Sequence, residues 1–172
     1  LATGEYRWHF QVVHHPIWDH DLSSAPLIMD VEVDGKMREI IALPTKQSFI
    51  YAFDRVTGEP IWPIPEKEVP VGNVPGEWYS PTQPEPPIEL MYGRGKLNLP
   101  DDLIDFTPEM RQEALDKLHN WTWDNGGRYN PPIMGEVGGV LGAVNIGATG
   151  GGSSWPGASF DPERGIVYAQ AQ

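Results

Sequence analysis

Residues 52–62 read AFDRVTGEPIW, an aromatic stretch followed by a Thr-Gly turn and a tryptophan. The same pattern opens the chain, where ATGEYRW spans residues 2–8, so Thr-Gly recurs after 54 residues and Trp8 and Trp62 share that spacing. A partial third copy, ASFDPERGIVYA, spans residues 158–169. Repeats of about 40 to 50 residues are typical of propeller blades and solenoids. The repeat therefore predicts a fold built from similar units.

The stretch between the first two copies predicts four short antiparallel strands joined by tight turns. The first, APLIMDVEVDG, ends at Asp34-Gly35, a dipeptide typical of two-residue hairpins. REIIALP, SFIYAFD and PIW follow and are rich in β-branched and aromatic residues. A four-stranded meander of this kind is the unit of a β-propeller. The predicted fold class is therefore all-β, and specifically a β-propeller.

The middle of the chain departs from this pattern. Residues 63–100 are rich in proline, which excludes a regular helix or a central strand and predicts an extended, packed loop. FTPEMRQEALDKLHNW then predicts a helical insertion near 107–119, with Thr107 as N-cap and Pro108 at the first helical position. The apolar stripe of this helix comprises Met110, Ala114, Leu115 and Leu118.

These patterns divide the single predicted domain, residues 1–172, into three parts. Residues 1–62 are predicted to form a blade, and residues 63–134 a proline-rich loop with the helix insertion. Residues 135–172 contain a glycine-rich segment and the start of the next blade. The glycine-rich segment lacks the spacing of a dinucleotide fingerprint and the Gly-Lys-Ser/Thr of a phosphate loop, so it does not predict nucleotide binding.

Composition excludes several classes of function. The chain has 24 acidic and 12 basic residues and a formal net charge of −12, without the clustered Lys and Arg of a nucleic-acid-binding surface. It has no cysteine, which excludes disulfides, cysteine nucleophiles and thiolate metal sites. No apolar run approaches the roughly 20 residues of a membrane span, and no secretory signal is visible. The first residue is Leu1, so we expect a piece of a longer protein.

Residues 14–21, HHPIWDHD, concentrate side chains that can do chemistry. Histidines and aspartates can bind a transition metal, although no H-E-x-x-H pattern or facial-triad spacing is present. The stretch also fits a solvated polar loop. A third interpretation is acid–base chemistry, in which a carboxylate lies beside an aromatic wall such as Trp18. The residues alone leave these alternatives open.

Two further residues have both a structural and a functional interpretation. Lys46, in the turn PTKQS, is either a solvated turn lysine or part of a site at the end of a blade. Trp155, after GGGSS, either packs between blades or offers a flat face to an aromatic ligand.

Taken together, these stretches resemble one family, the pyrroloquinoline-quinone (PQQ) dependent dehydrogenases, or quinoproteins. AFDRVTGEPIW resembles the family's tryptophan-docking motif, HHPIWDHD resembles H-H-D-x-W-D-x-D, and PTKQSFIYAFDR resembles P-x-K-x-G-x-[IL]-[YF]-x-[LF]-D-R. PGEWYSPTQP and GGGSSWPGASFDPERGIVY resemble further family segments, in the family's order. The sugar and polyol branch is most similar, and simpler alcohol oxidisers follow. The residues matched to the docking motif are Trp8, Ala52, Asp54, Thr57, Gly58 and Trp62.

The resemblance implies an eight-bladed propeller, of which this chain would cover about three blades, and a site that uses PQQ and calcium. Asp19 would be the catalytic base that accepts the substrate hydroxyl proton while hydride passes to the quinone, and also a calcium ligand. Lys46, 27 residues later, would hydrogen-bond the quinone oxygens. Trp155 and Ser154 would lie near the cofactor. Ser154 stands where the family commonly has asparagine, and Ser48 stands where it has glycine.

The function implied is a PQQ- and calcium-dependent dehydrogenase of a sugar, polyol or alcohol. Its electron acceptor would be a membrane quinone or a cytochrome c, and the family implies a periplasmic location. No nucleic-acid partner is expected. The alternative is a non-catalytic propeller that serves as a binding or assembly module, because propellers host many functions. Absence of PQQ binding by the full-length protein would favour that alternative.

Overall fold

A computed structural model describes residues 3–123, 127–146 and 152–171. In this part of the chain the regular structure is mostly strands, with one α-helix, α1 (Pro108–Leu118), and one 3₁₀ helix (Ile88–Leu90). The strands are β1 (Leu27–Val33), β2 (Lys36–Pro44), β3 (Ile50–Asp54), β4 (Glu66–Glu68), β5 (Thr82–Pro84), β6 (Trp121–Thr122), β7 (Gly142–Ala143), β8 (Ala158–Asp161) and β9 (Ile166–Ala169).

The largest sheet is the antiparallel meander β1-β2-β3. Its first hairpin turns at Asp34-Gly35, where both residues have positive φ (52° and 73°), as the predicted two-residue turn requires. Leu27 pairs with Ala42 at the open end of this hairpin. The predicted positions of the first three strands are confirmed.

The predicted fourth strand of this unit is wrong. The segment PIW forms one isolated bridge, between Pro60 and Phe53, made by the hydrogen bonds from Asp54 N to Glu59 O (2.8 Å) and from Ile61 N to Ala52 O (2.9 Å). These bonds flank Pro60, so its missing N–H is not at a paired position; the ladder ends after this bridge. The unit therefore has three strands and a single edge contact.

The meander has an apolar cluster on each face. Neighbouring residues of a strand point to opposite faces, and Ala52 and Phe53 accordingly belong to different apolar clusters. Apolar residues on both faces are what a blade stacked between neighbours requires. One cluster contains Val12, Phe49, Tyr51 and Phe53, and the other contains Met29, Ile40, Ala42 and Ala52.

The proline-rich region is more structured than predicted. β4 pairs with β5 in a short antiparallel ladder, and the 3₁₀ helix follows. Three-residue strands tolerate the surrounding prolines because the ladder needs few N–H donors. The interpretation of residues 63–100 as an extended loop thus missed a small two-stranded sheet.

The predicted helix is confirmed. Thr107 is its N-cap, and the threonine hydroxyl accepts a hydrogen bond from Met110 N (3.2 Å), while Pro108 occupies the first turn. Leu118 is buried but Met110 is exposed, so the buried stripe is shorter than the sequence pattern suggests. The predicted glycine-rich segment contributes β7, which pairs in parallel with β6, and its residues 147–151 lie outside the described residues.

The second and third copies of the sequence repeat form the same turn. Asp54 Oδ1 accepts hydrogen bonds from two following backbone N–H groups (2.9 Å each), and Gly58 N, with φ +80°, donates to Asp54 O (2.8 Å). Asp161 Oδ1 does likewise (3.0 and 3.2 Å), and Gly165 N, with φ +66°, donates to Asp161 O (2.9 Å). The backbone hydrogen bonds to Asp54, first from Thr57, lower the pKa of its carboxyl group.

Candidate functional site

Lys46 lies in the turn that joins β2 to β3. Ser48 N donates to Thr45 O (3.0 Å), which closes the turn, and Ser48 has φ +65°, a left-handed conformation that favours glycine. The Lys46 side chain is only 9% exposed. Lysine is seldom buried without a partner, so Lys46 is not a solvated turn residue.

Two carboxylates of the HHPIWDHD stretch meet the Lys46 ammonium. Lys46 Nζ lies 3.1 Å from Asp19 Oδ2 and also contacts Asp21 Oδ1. Both aspartate side chains are more than half exposed. The hydrogen bond from Lys46 lowers the pKa of Asp21, and the hydrogen bond to Asp21, together with that to Asp19, raises the pKa of Lys46. Asp21 and Lys46 therefore remain charged at neutral pH.

The family resemblance gives roles to Lys46 and Asp19 but none to Asp21. The available signal was the alternation of aromatic and acidic residues in Trp18-Asp19-His20-Asp21, in which Trp18 and His20 are buried and the two acids are exposed. Asp19 has φ +63°, so the segment is not a regular strand, but both carboxylates contact the lysine.

The other residues of the stretch pack against the protein and hold the two exposed carboxylates in place. Trp18 is 6% exposed, donates from Nε1 to Asn130 O (2.6 Å) and stacks on His20, with ring centroids 5.5 Å apart. His14 Nε2 and His15 Nε2 each contact a glutamate of the proline-rich region, at 2.9 and 2.8 Å. HHPIWDHD is therefore a packed segment with two exposed acids, rather than a solvated loop.

A distant part of the chain completes the site. Gly152 has φ +62°, and a Cβ there would lie 2.3 Å from Thr45 O, so only glycine allows this approach. Ser153 N donates to the same Thr45 carbonyl (3.0 Å). The contact places Ser154 and Trp155 directly after a segment packed on the lysine turn. Trp155 is 80% exposed, so its indole is not packed among the described residues.

The residues matched to the docking motif also come together. Trp8 lies over Gly58, where an added Cβ would be 2.5 Å from the indole Cδ2 atom, and Trp8 Nε1 approaches Arg55 O (3.4 Å). Trp62 packs against the apolar cluster that contains Ala52. The tryptophan of the first copy thus covers the Thr-Gly turn of the second.

The described residues do not form a complete calcium site. No group of three His, Asp or Glu side chains with metal-ligand geometry occurs in residues 3–123, 127–146 and 152–171. Calcium takes six to eight oxygen ligands, and the two carboxylates nearest the site share one lysine. PQQ makes different demands, because the little-exposed Lys46 ammonium suits the oxygen acceptors of a quinone. Within the described chain, no helix is long and apolar enough to cross a membrane.

Residues 1–172 match the model of the family described as "PQQ: Glucose/ethanol/alcohol dehydrogenase, beta-propeller domain". The chain therefore belongs to this β-propeller family of quinoprotein dehydrogenases.

Curated relatives agree with this assignment. The chain is 34% identical over 168 residues to the quinoprotein glucose dehydrogenase of Gluconobacter oxydans (97% of this chain, 20% of the relative). It is 32% identical over 179 residues to the glycerol dehydrogenase large subunit of the same organism (98% and 22%), and 30% identical over 168 residues to the quinate/shikimate dehydrogenase (quinone) of Acinetobacter baylyi (97% and 20%). The chain thus spans about a fifth of the length of these relatives. No solved structure matches it significantly.

Proposed function

We propose that this chain belongs to a PQQ- and calcium-dependent dehydrogenase that oxidises a sugar, polyol or alcohol by base-assisted hydride transfer. The observation that carries the proposal is the contact of Lys46 Nζ with Asp19 Oδ2 at 3.1 Å. The relatives named for glucose, glycerol and quinate support a small polyhydroxy substrate.

Asp19 is proposed as the general base. Its side chain is 53% exposed, so a substrate hydroxyl can reach the carboxylate, and the Lys46 ammonium lies 3.1 Å from it. The backbone holds Asp19 at φ +63°, an unusual conformation for a non-glycine residue that aims the side chain toward the lysine. Asp19 takes the proton of the substrate hydroxyl group. The hydrogen on the carbon that bears this hydroxyl leaves with the electron pair of its C–H bond, as hydride.

Lys46 is proposed to bind the quinone oxygens. An ammonium group has three donors, and the described residues engage two of them through Asp19 and Asp21. The third can donate to an acceptor on the cofactor. When bound, PQQ supplies the two-electron acceptor for the hydride, and a fixed cation beside it stabilises the developing negative charge. Ser154 and Trp155 are proposed as further cofactor contacts.

Calcium is proposed as a partner of Asp19 only. The described residues offer too few oxygens for a complete site, so further ligands must come from elsewhere in the protein. We also propose a periplasmic location, with a membrane quinone or cytochrome c as electron acceptor. The blades are proposed to be joined by tryptophan docking, which the contact between Trp8 and Gly58 supports.

The proposal is tested with the full-length protein, PQQ, calcium and an artificial electron-accepting dye. We expect sugar-, polyol- or alcohol-dependent dye reduction. The Asp19→Asn variant should fold and bind PQQ but lose at least about 100-fold in turnover, since general-base catalysis contributes about 10²- to 10⁴-fold.

The matched control is Asp34→Asn, the same chemical change in an exposed hairpin turn, which should retain wild-type turnover. Activity of Asp19→Asn equal to that of the control would reject the base assignment. Absence of dye reduction across a broad panel of sugars, polyols and alcohols would reject the proposed function.

A further inference from the structure

A cavity of about 400 Å³ borders Asp19. Its size lies within the roughly 300 to 1,000 Å³ of small-molecule sites. Most of its lining is apolar or aromatic, with two amide side chains and the one carboxylate, which is the usual composition of such a site. The lining residues used below are Trp18, Asp19, Trp121, Asn130, Gly142 and Asn145.

Trp121 forms one wall of this cavity. The parallel pairing of β6 and β7 sets Trp121 opposite Gly142, and an added Cβ at Gly142 would lie 2.9 Å from the indole Cζ3 atom. The indole therefore lies flat against glycine backbone on one face. Because Trp121 is still 41% exposed, its ring remains available on the cavity side.

Another part of the lining is hydrogen-bonded to Trp18, the residue that precedes the proposed base. Asn130 is 3% exposed, and its backbone O accepts hydrogen bonds from Trp18 Nε1 (2.6 Å) and Asn145 Nδ2 (3.1 Å). Trp18 directly precedes Asp19, so this network fixes the distance between the amides and the carboxylate. Within the described chain, the Oδ1 atoms of Asn130 and Asn145 accept no hydrogen bond, but both atoms are buried beneath the cavity surface, so Asp19 is the charged group that the lining presents.

We infer that this cavity is the substrate pocket and that Trp121 selects ring-shaped polyhydroxy compounds, such as a pyranose or a cyclitol, over short linear polyols. The inference rests on the proposed function. A flat indole packs on the C–H face of a six-membered ring, whereas a flexible three-carbon polyol offers no such face. The exposed carboxylate of Asp19 bonds a hydroxyl group at the ring edge.

Equilibrium binding tests the inference without turnover. The background is the Asp19→Asn variant of the full-length protein loaded with PQQ and calcium, titrated by calorimetry with D-glucose, quinate, myo-inositol and glycerol. Adding Trp121→Ala should weaken binding of the ring compounds about five- to tenfold, which is the size of a lost aromatic contact, and change glycerol binding less than twofold. Trp121→Phe should restore ring binding to within about twofold.

The matched control is Phe106→Ala, which truncates an aromatic side chain that is 83% exposed and lies outside the cavity. It should leave every dissociation constant unchanged. Gly142→Ala displaces the Trp121 ring without altering it and should reproduce the loss in Trp121→Ala.

Equal weakening of ring compounds and glycerol, no weakening at all, or no binding of any ring compound would overturn the inference. Each of these results is compatible with dye reduction by the wild-type protein, so the pocket assignment can fail while the proposed function stands.

Discussion

Ser48 shows a residue held in a conformation that its side chain disfavours. It lies at φ +65° in the lysine turn, at a position where the resemblance implies glycine. A non-glycine residue in this region costs about 1–2 kcal/mol, and the turn keeps it there because the flanking strands and the Thr45 hydrogen bond fix the backbone.

Ser48→Gly should therefore stabilise the full-length protein by roughly 0.5–1 kcal/mol. The relief of backbone strain is partly offset by the greater entropy that glycine gives the unfolded chain. Urea unfolding followed by tryptophan fluorescence measures the change. Ser48→Ala is the control, because it removes the hydroxyl but keeps the strained Cβ; a Ser48→Gly protein no more stable than Ser48→Ala would contradict the prediction.

At the scale of single residues, the sequence predicts which side chains can do chemistry better than it predicts their burial and contacts. Asp19 and Lys46 are 27 residues apart in sequence, and the family resemblance implied a separate role for each without predicting their contact. Neither the burial of Lys46 nor the contact with Asp21 follows from residue type, because both depend on packing of the turn against distant segments. The roles of Asp19, Lys46, Ser154 and Trp155 remain predictions.

At the scale of elements, the geometry of the Thr-Gly turn explains why Asp54 and Gly58 occupy their positions. Asp54 closes the turn, and Gly58 combines φ +80° with the Trp8 indole directly above it. Two demands therefore fall on one glycine, a left-handed backbone and no side chain.

The two demands can be separated by comparing Gly58→Ala with Gly35→Ala. Gly35 has a similar φ of +73° but nothing within 4 Å of an added Cβ, so alanine there carries backbone strain alone. We expect Gly58→Ala to cost about 1–3 kcal/mol more than Gly35→Ala, the range for overpacking. Chemical denaturation of both variants measures this, and equal costs would show that the Trp8 contact is not tight.

The local patterns predicted the elements well where local chemistry decides them. The hairpin at Asp34-Gly35 and the capped helix after Thr107 both depend on residues within a few positions. The fourth strand failed because pairing with β3 stops after one bridge at Pro60, and the β4–β5 ladder was missed because its partners are separated by the proline-rich segment. The proposed division of the chain at residues 62 and 134 is still a prediction.

At the scale of the whole molecule, the stability of the chain depends most on how much of the propeller it contains. The chain spans about a fifth of its curated relatives, and the described strands form separate sheets of two or three strands. An apolar groove of about 430 Å³, lined in part by Met29, Trp62 and Val167, runs along the second core cluster. Open strand edges and uncovered apolar surface favour association between chains.

We therefore expect the 172 residues alone to show no dehydrogenase activity and to aggregate or unfold readily. Dye reduction with PQQ and calcium measures the first, and light scattering during purification measures the second, with the full-length protein as the control. Measured turnover by the 172-residue chain would contradict the prediction.

The hydrogen bonds that the Thr45 carbonyl accepts determine when the site can form during folding. It accepts hydrogen bonds from the Tyr92 hydroxyl (2.8 Å) and from Ser153 N (3.0 Å), and Ser153 N also approaches the Tyr92 hydroxyl (3.1 Å). Tyr92 lies 47 residues from Thr45 and 61 from Ser153, so this corner has a high contact order. Closing such long loops costs entropy before any contact repays it, which makes the step slow. The meander can form early, because its strands are neighbours in sequence. The lysine turn is covered only when Ser153 has docked on Thr45. The ability to bind the cofactor should therefore appear after most of the β structure during folding.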